Sequence, residues 1–159
     1  MSGCAVRDTE SLLVAVATYH GPPRGVGEAF DRLLSWADVH HLEQWGTLIG
    51  VYEDAESGAD AIDAEAWLPL PPATLGVVLG DADIALRREE PDTVAACIHR
   101  GFPDAVGETL AGLFTWIDTQ GLRRTTATHR QVYRSAPKGR PAEWEVELQV
   151  PVAATGSRV

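Results

Sequence analysis

The sequence of 159 residues, 45% of them hydrophobic, suits one globular domain or two small halves fused around a shared surface. Its 23 acidic against 13 basic side chains give a formal charge of −10, which opposes phosphate-backbone binding and favours cationic or neutral partners, so no nucleic-acid partner is expected. Two cysteines, Cys4 near a polar start and Cys97 inside an apolar run, suggest neither a disulfide framework nor a zinc cluster, and a reducing cytoplasm fits. "MSGCAVRDTE" lacks the charged-then-apolar order of a signal peptide, and no apolar run approaches the roughly 18 residues of a membrane span, so a soluble protein without a membrane partner is expected.

In chain order, "LLVAVATYH" (12–20) reads as a strand and the Gly/Pro cluster after it as a turn. Val26, Phe30, Leu33 and Ala37 then recur at helical spacing, with Trp36 widening the stripe. "TLIGVYED" (47–54) and "AIDAEAWLP" (61–69) follow as strands around a turn. A linker over about 71–91 has turn chemistry at both ends, and its "TLGVVLG" (74–80) could hold an extra strand or lie over an edge. The pattern then returns. "TVAACIHR" (93–100) is a strand, and Val106, Leu110, Leu113 and Ile117 with Trp116 form a helix stripe. "HRQVYRS" (129–135) and "EWEVELQVP" (143–151) close the chain as strands.

Self-similarity explains the return. Laying 21–42 over 101–122 at an offset of 80 matches Gly21/Gly101, Pro23/Pro103, Val26/Val106, Gly27/Gly107, Glu28/Glu108, Leu33/Leu113, Trp36/Trp116, Asp38/Asp118 and Leu42/Leu122. Small insertions then align Val51-Tyr52 with Val132-Tyr133, and Glu65 and Pro69 with Glu147 and Pro151. The expected fold is α+β. It is a tandem duplication of a β-α-β-β module, in repeats of about 10–70 and 92–153, with two antiparallel sheets, helices on one side and a ligand cleft between the modules.

Strand parity assigns faces. Trp144, Val146, Leu148 and Val150 form an apolar face fit to lie under a helix, opposite Glu145, Glu147 and Gln149. Ile62, Ala64, Ala66 and Leu68 likewise stand opposite Asp63, Glu65 and Trp67. In the middle strands Ile49, Val51 and Val132 are expected to look toward the helix, with Leu48, Gly50, Tyr52, His129, Gln131 and Tyr133 on the acidic face. One outcome is a solvated sheet face. Trp67 and the tyrosines argue instead for a binding surface, whereas Trp36 and Trp116 are assigned to packing. Glu145, near its strand's start, could simply reach solvent.

Other constellations are weak. His20, His40, His41, His99 and His129 lack metal-ligand spacing, "HGPPRGVGE" lacks the Lys-Ser/Thr of a phosphate-binding loop, and no Gly-x-Ser-x-Gly elbow occurs, so no metal or cofactor is expected.

The repeated unit, "HRGFPDAVGETLAGLFTWIDTQGL", "YED…DAEAW" and the closing "VELQVPV" together resemble the gyrase-inhibitor-like (GyrI-like) small-molecule-binding family, itself similar to effector-binding domains of multidrug-sensing bacterial transcription activators. The resemblance covers about residues 10–153. It implies a cleft between the two halves lined by the strands that carry Glu147 and Asp63, in which Glu147 meets the positive charge of lipophilic aromatic cations, for multidrug-type sequestration or sensing; strand parity adds Glu145, Gln149, Tyr133, Tyr52, Trp67 and Glu65 to the expected lining. Physics agrees, since a partly buried carboxylate is costly without a cation or donors, and aromatic faces add cation–π attraction of about 0.5–2 kcal/mol. Some members of the family open strained cyclopropane-bearing electrophiles, so a hydrolase with Glu147 and Tyr133 as base and acid is the rival expectation. A protein-binding gyrase modulator rests on the family's name alone. The sequence carries no helix-turn-helix segment, so an activator is not implied.

Overall fold

A computed structural model describes residues 3–42, 46–54, 60–74, 76, 83–136 and 139–155. Its elements are β1 (Ala5–Asp8), β2 (Leu12–Gly21), α1 (Gly27–Val39), β3 (Ile49–Glu53), β4 (Ile62–Leu70), β5 (Ile84–Glu89), β6 (Thr93–Arg100), α2 (Val106–Thr119), β7 (Leu122–Arg124), β8 (Thr128–Ser135) and β9 (Glu145–Ala154). The strands pair antiparallel, and with the two helices they make an α+β fold. Two compact units result, one of Glu10–Pro91 and one of Met1–Thr9 with Asp92–Val159. Among the described residues no helix is long and apolar enough to cross a membrane.

In the unit of residues 10–91 the strand order is β3-β4-β2-β5. Leu13, Ala15 and Ala17 of β2 pair with Leu70, Leu68 and Ala66 of β4, and this face takes α1 through Ala29, Leu33, Trp36 and Ala37. The helical spacing and Trp36 therefore do the packing that the sequence assigned to them. Each fully buried Leu or Val in such a layer contributes on the order of 1.5–3 kcal/mol relative to exposure. Both helices start after a single 3-10 turn opened by Pro23 or Pro103, whose fixed φ suits a first turn.

In the second unit the order is β1-β6-β9-β8, with β7 pairing the far end of β9. Ala95, Cys97 and His99 pair with Val150, Leu148 and Val146, and α2 covers this face with Val106, Leu113 and Ile117. Gly101 takes the chain from β6 toward α2 at φ 111°, a conformation that favours glycine.

Three expectations change. The segment over 71–91, for which the sequence leaves open an extra strand at 74–80 or a place over an edge, carries a strand further on: Ile84–Glu89 forms β5 on the edge of β2, with Leu86 opposite Ala15 and Arg87 opposite Val14. Apart from Thr74 and Gly76, "TLGVVLG" lies outside the described residues. The polar start also forms a strand, β1, whose Arg7 stands opposite Val94 of β6.

The third correction concerns the middle strands, whose faces are the reverse of those expected. Tyr52 pairs with Ala64 and Tyr133 with Val146, which places both tyrosines on the helix-covered faces. Ile49, Val51 and Val132 pair with Trp67, Glu65 and Glu147 on the opposite faces. Tyr52 packs with Ile62 and Ala64, and a Cβ on Gly50 would meet its ring at 2.5 Å, so the missing side chain makes room for the phenol. Leu48 packs against the α1 core, and His129 and Gln131 follow Tyr133 onto the α2 side.

Candidate functional site

The β4 and β9 parity places Glu65, Trp67, Glu147 and Gln149 opposite the helices, as the alternation predicts. These positions are far from solvated: Glu147 is 8%, Gln149 5% and Trp67 4% exposed. A carboxylate so placed needs donors.

In the unit containing β9, those donors come from Arg7 and Gln149, with Arg134 adding a more distant positive charge. Both the Nε of Arg7, at 3.2 Å, and its Nη2 donate to Glu147 Oε2, and Gln149 Nε2 donates to the same oxygen at 2.8 Å. Arg134 occupies a bulge between Tyr133 and Ser135, where its Nη1 lies 3.9 Å from Glu147 Oε1 and its Nε 3.9 Å from Glu145 Oε2. Glu145 also accepts from Arg100 Nε at 3.1 Å. Arg130, opposite Gln149, pairs with Asp92 at 3.3 Å. The two acids therefore do not stand as uncompensated charges awaiting a ligand, because the chain supplies its own guanidinium groups.

In the unit containing β4 the arrangement is tighter. Arg87 spans the carboxylate of Glu65, with Nη2 to Oε1 at 2.6 Å and Nη1 to Oε2 at 3.2 Å. Trp67 Nε1 donates to Glu65 Oε1 at 2.9 Å, and Arg87 Nε reaches Glu89 Oε2 at 2.5 Å. The Arg87 Cζ lies 5.5 Å from the Trp67 ring centroid, within cation–π range. Burial pushes the Glu65 carboxyl upward, but hydrogen bonds from Arg87 and Trp67 outweigh it and hold the group below its ordinary value. Arg87 is raised in turn, chiefly by its hydrogen bond to Glu65.

The remaining expected residues fall elsewhere. Asp63 is exposed, pairs with His20 Nδ1 at 2.6 Å, and its backbone N–H donates to Glu53 Oε1 at 2.8 Å. Tyr133 donates its hydroxyl to Gln131 Oε1 at 3.1 Å and meets Trp144 edge-on, with ring centroids 6.2 Å apart. Both Tyr133 and Tyr52 are thus separated from the acids by the sheet itself. The residues that the sequence reading missed are Arg7 and Arg87. Their spacing of 80 is the offset of the internal matches, and Ala5/Ala85 shares it, so extending the alignment N-terminally would have found them.

A family model described as the GyrI-like small molecule binding domain matches residues 4–153. No curated protein matches the sequence. Among solved structures, EcmrR in a cryo-EM complex with DNA is similar at a TM-score of 0.79 and 18% identity over 96% of this chain, which spans 57% of the EcmrR chain. A Listeria innocua protein described as a hydrolase is similar at a TM-score of 0.70 and 17% identity, with 95% of this chain and 92% of that one covered. SAV2435, solved bound to tetraphenylphosphonium, gives a TM-score of 0.60 and 12% identity over 94% of this chain and 93% of its own. At such identities the likeness is one of fold.

Proposed function

The chain belongs to the GyrI-like small-molecule-binding family, and from that premise we propose that it binds lipophilic aromatic cations, in a sequestering or sensing role, on the sheet faces bearing Glu147 and Glu65. Arg87 is the observation that carries this reading. A planar organic cation, supplied by the chain itself, already lies between the carboxylate of Glu65 and the indole of Trp67. A ligand with delocalised positive charge needs the same two partners. Glu147 offers the second carboxylate, and its Arg7 comes from a four-residue edge strand with the guanidine-bearing side chain 48% exposed. An incoming cation that exchanged with Arg7 would leave the buried charge compensated throughout. The tetraphenylphosphonium bound to SAV2435 supports this ligand class.

In this proposal Glu147 and Gln149 are the ligand-contacting residues of one unit and Glu65 and Trp67 those of the other, each pair on its own sheet face; Glu145 tunes the field, and Tyr52, Tyr133 and Asp63 do not take part. The two units are read as copies of one duplicated β-α-β-β module, on the strength of the matches at an offset of 80 and the Arg7/Arg87 correspondence. Titration calorimetry with tetraphenylphosphonium and with a neutral tetraaryl analogue of the same shape tests the function. Tighter binding of the cation is expected, and equal affinities would remove the carboxylates from the recognition. Turnover of a strained electrophile that Glu147→Gln abolishes while leaving cation affinity unchanged would also overturn the assignment.

A further inference from the structure

We propose that Cys4 and Cys97 are a disulfide-forming thiol pair, a site of reversible oxidation by low-molecular-weight disulfides. The register of β1 and β6 pairs Ala5 with Ala96 and Val6 with Ala95. Continued by one residue, it sets Cys4 opposite Cys97. Residues directly opposed in antiparallel strands have Cα atoms about 4.5–5.5 Å apart, inside the roughly 4.4–6.8 Å that a disulfide spans. Both side chains face α2, where Cys97, 3% exposed, and the partly buried Cys4 belong to one cluster with Val146, Leu148 and Val150. Burial, and after it the neighbouring Cys97 thiol, pushes the Cys4 thiol up to about 12.

The exposures assign an order to the chemistry. Cys4, the more accessible sulfur, attacks an oxidised disulfide RSSR as its thiolate, giving a Cys4–SR mixed disulfide and one RSH. Cys97 then attacks the Cys4 sulfur and expels the second RSH. The two protein thiols lose two protons and two electrons, and RSSR is reduced to two RSH. The scarcity of thiolate makes the exchange slow near neutral pH and faster in alkali. Its product would clasp β1 to β6 and hold Arg7 beside Glu147.

The test is incubation of the full chain with oxidised glutathione, followed by intact mass and non-reducing peptide mapping. A monomer lighter by two hydrogens, with the Cys4 and Cys97 peptides linked and released by dithiothreitol, is expected, with slower amide exchange over residues 5–8. Cys97→Ser should stop at a glutathione adduct on Cys4, and Cys4→Ser should give no linked product. A lasting wild-type adduct on Cys4 with Cys97 still free would overturn the proposal. So would a dimer linked through Cys4, or no oxidation where the urea-unfolded chain oxidises readily.

Discussion

Glu147 and Tyr133 sit on neighbouring strands yet on opposite faces of the sheet they share, because Val132 pairs with Glu147 whereas Tyr133 pairs with Val146. An acid–base pair acting on one bound molecule needs both groups within reach of it. Tyr133→Phe should therefore leave tetraphenylphosphonium affinity within about twofold. Tyr133→Ala should lower stability by about 1–3 kcal/mol in urea unfolding, since the ring packs against Trp144 and the α2 core. A large affinity loss with intact stability in Tyr133→Phe would put the phenol back in the site.

Arg7 and the proposed ligand compete for one carboxylate, so their substitutions should act with opposite sign. Arg7→Gln is expected to tighten tetraphenylphosphonium binding about tenfold, equivalent to about 1.4 kcal/mol. Glu147→Gln should weaken it about tenfold to hundredfold while hardly changing a neutral analogue. Weaker cation binding in Arg7→Gln would show Arg7 to be a scaffold for the site and not its occupant.

The Glu65 carboxyl is depressed in the folded state, so its contribution to stability is complete above the unfolded value near 4.5 and is lost as pH falls through the lower folded value. In urea unfolding, wild type should exceed Glu65→Gln by a constant margin above about pH 5, and the margin should shrink as the medium is acidified below about pH 4.5. A margin independent of pH would mean that shape and hydrogen bonding, not charge, hold Arg87 in place.

Trp36 is 6% exposed and buried within the α1 core, on the side of the sheet away from Glu65. Trp36→Ala should cost about 3–5 kcal/mol of stability. Calorimetry on the folded variant should return wild-type ligand affinity, and selective loss of binding would contradict the packing role.

The long alternations of β4 and β9 were legible because one parity is uniformly apolar and the other acidic, which leaves a single sensible orientation. "TLIGVYED" offers no such contrast. Ile49 and Val51 on one parity and Leu48 and Tyr52 on the other are both apolar, so only the pairing of Tyr52 with Ala64 decides which face meets the helix. Arg7 and Arg87 escaped for another reason. Each lies on a short, charged edge strand whose partners are remote or seen only in the register, and hydrophobic periodicity is nearly silent about such strands. The acids were found; the cations that neutralise them were not.

Residues 5–8 pair with residues 93–96, so the edge of this unit is made by the part of the sequence that leaves the ribosome long before its partner. At about 5–20 residues per second, β1 waits on the order of several seconds for β6 to emerge. The unit of residues 10–91 is complete once β5 emerges, whereas the unit that β1 joins must wait further for β9. Being only four residues long, with every one exposed, β1 is a poor template for stray pairing during that interval. A bulky fusion placed directly before Cys4 should accordingly disturb the late-made unit and spare the early one.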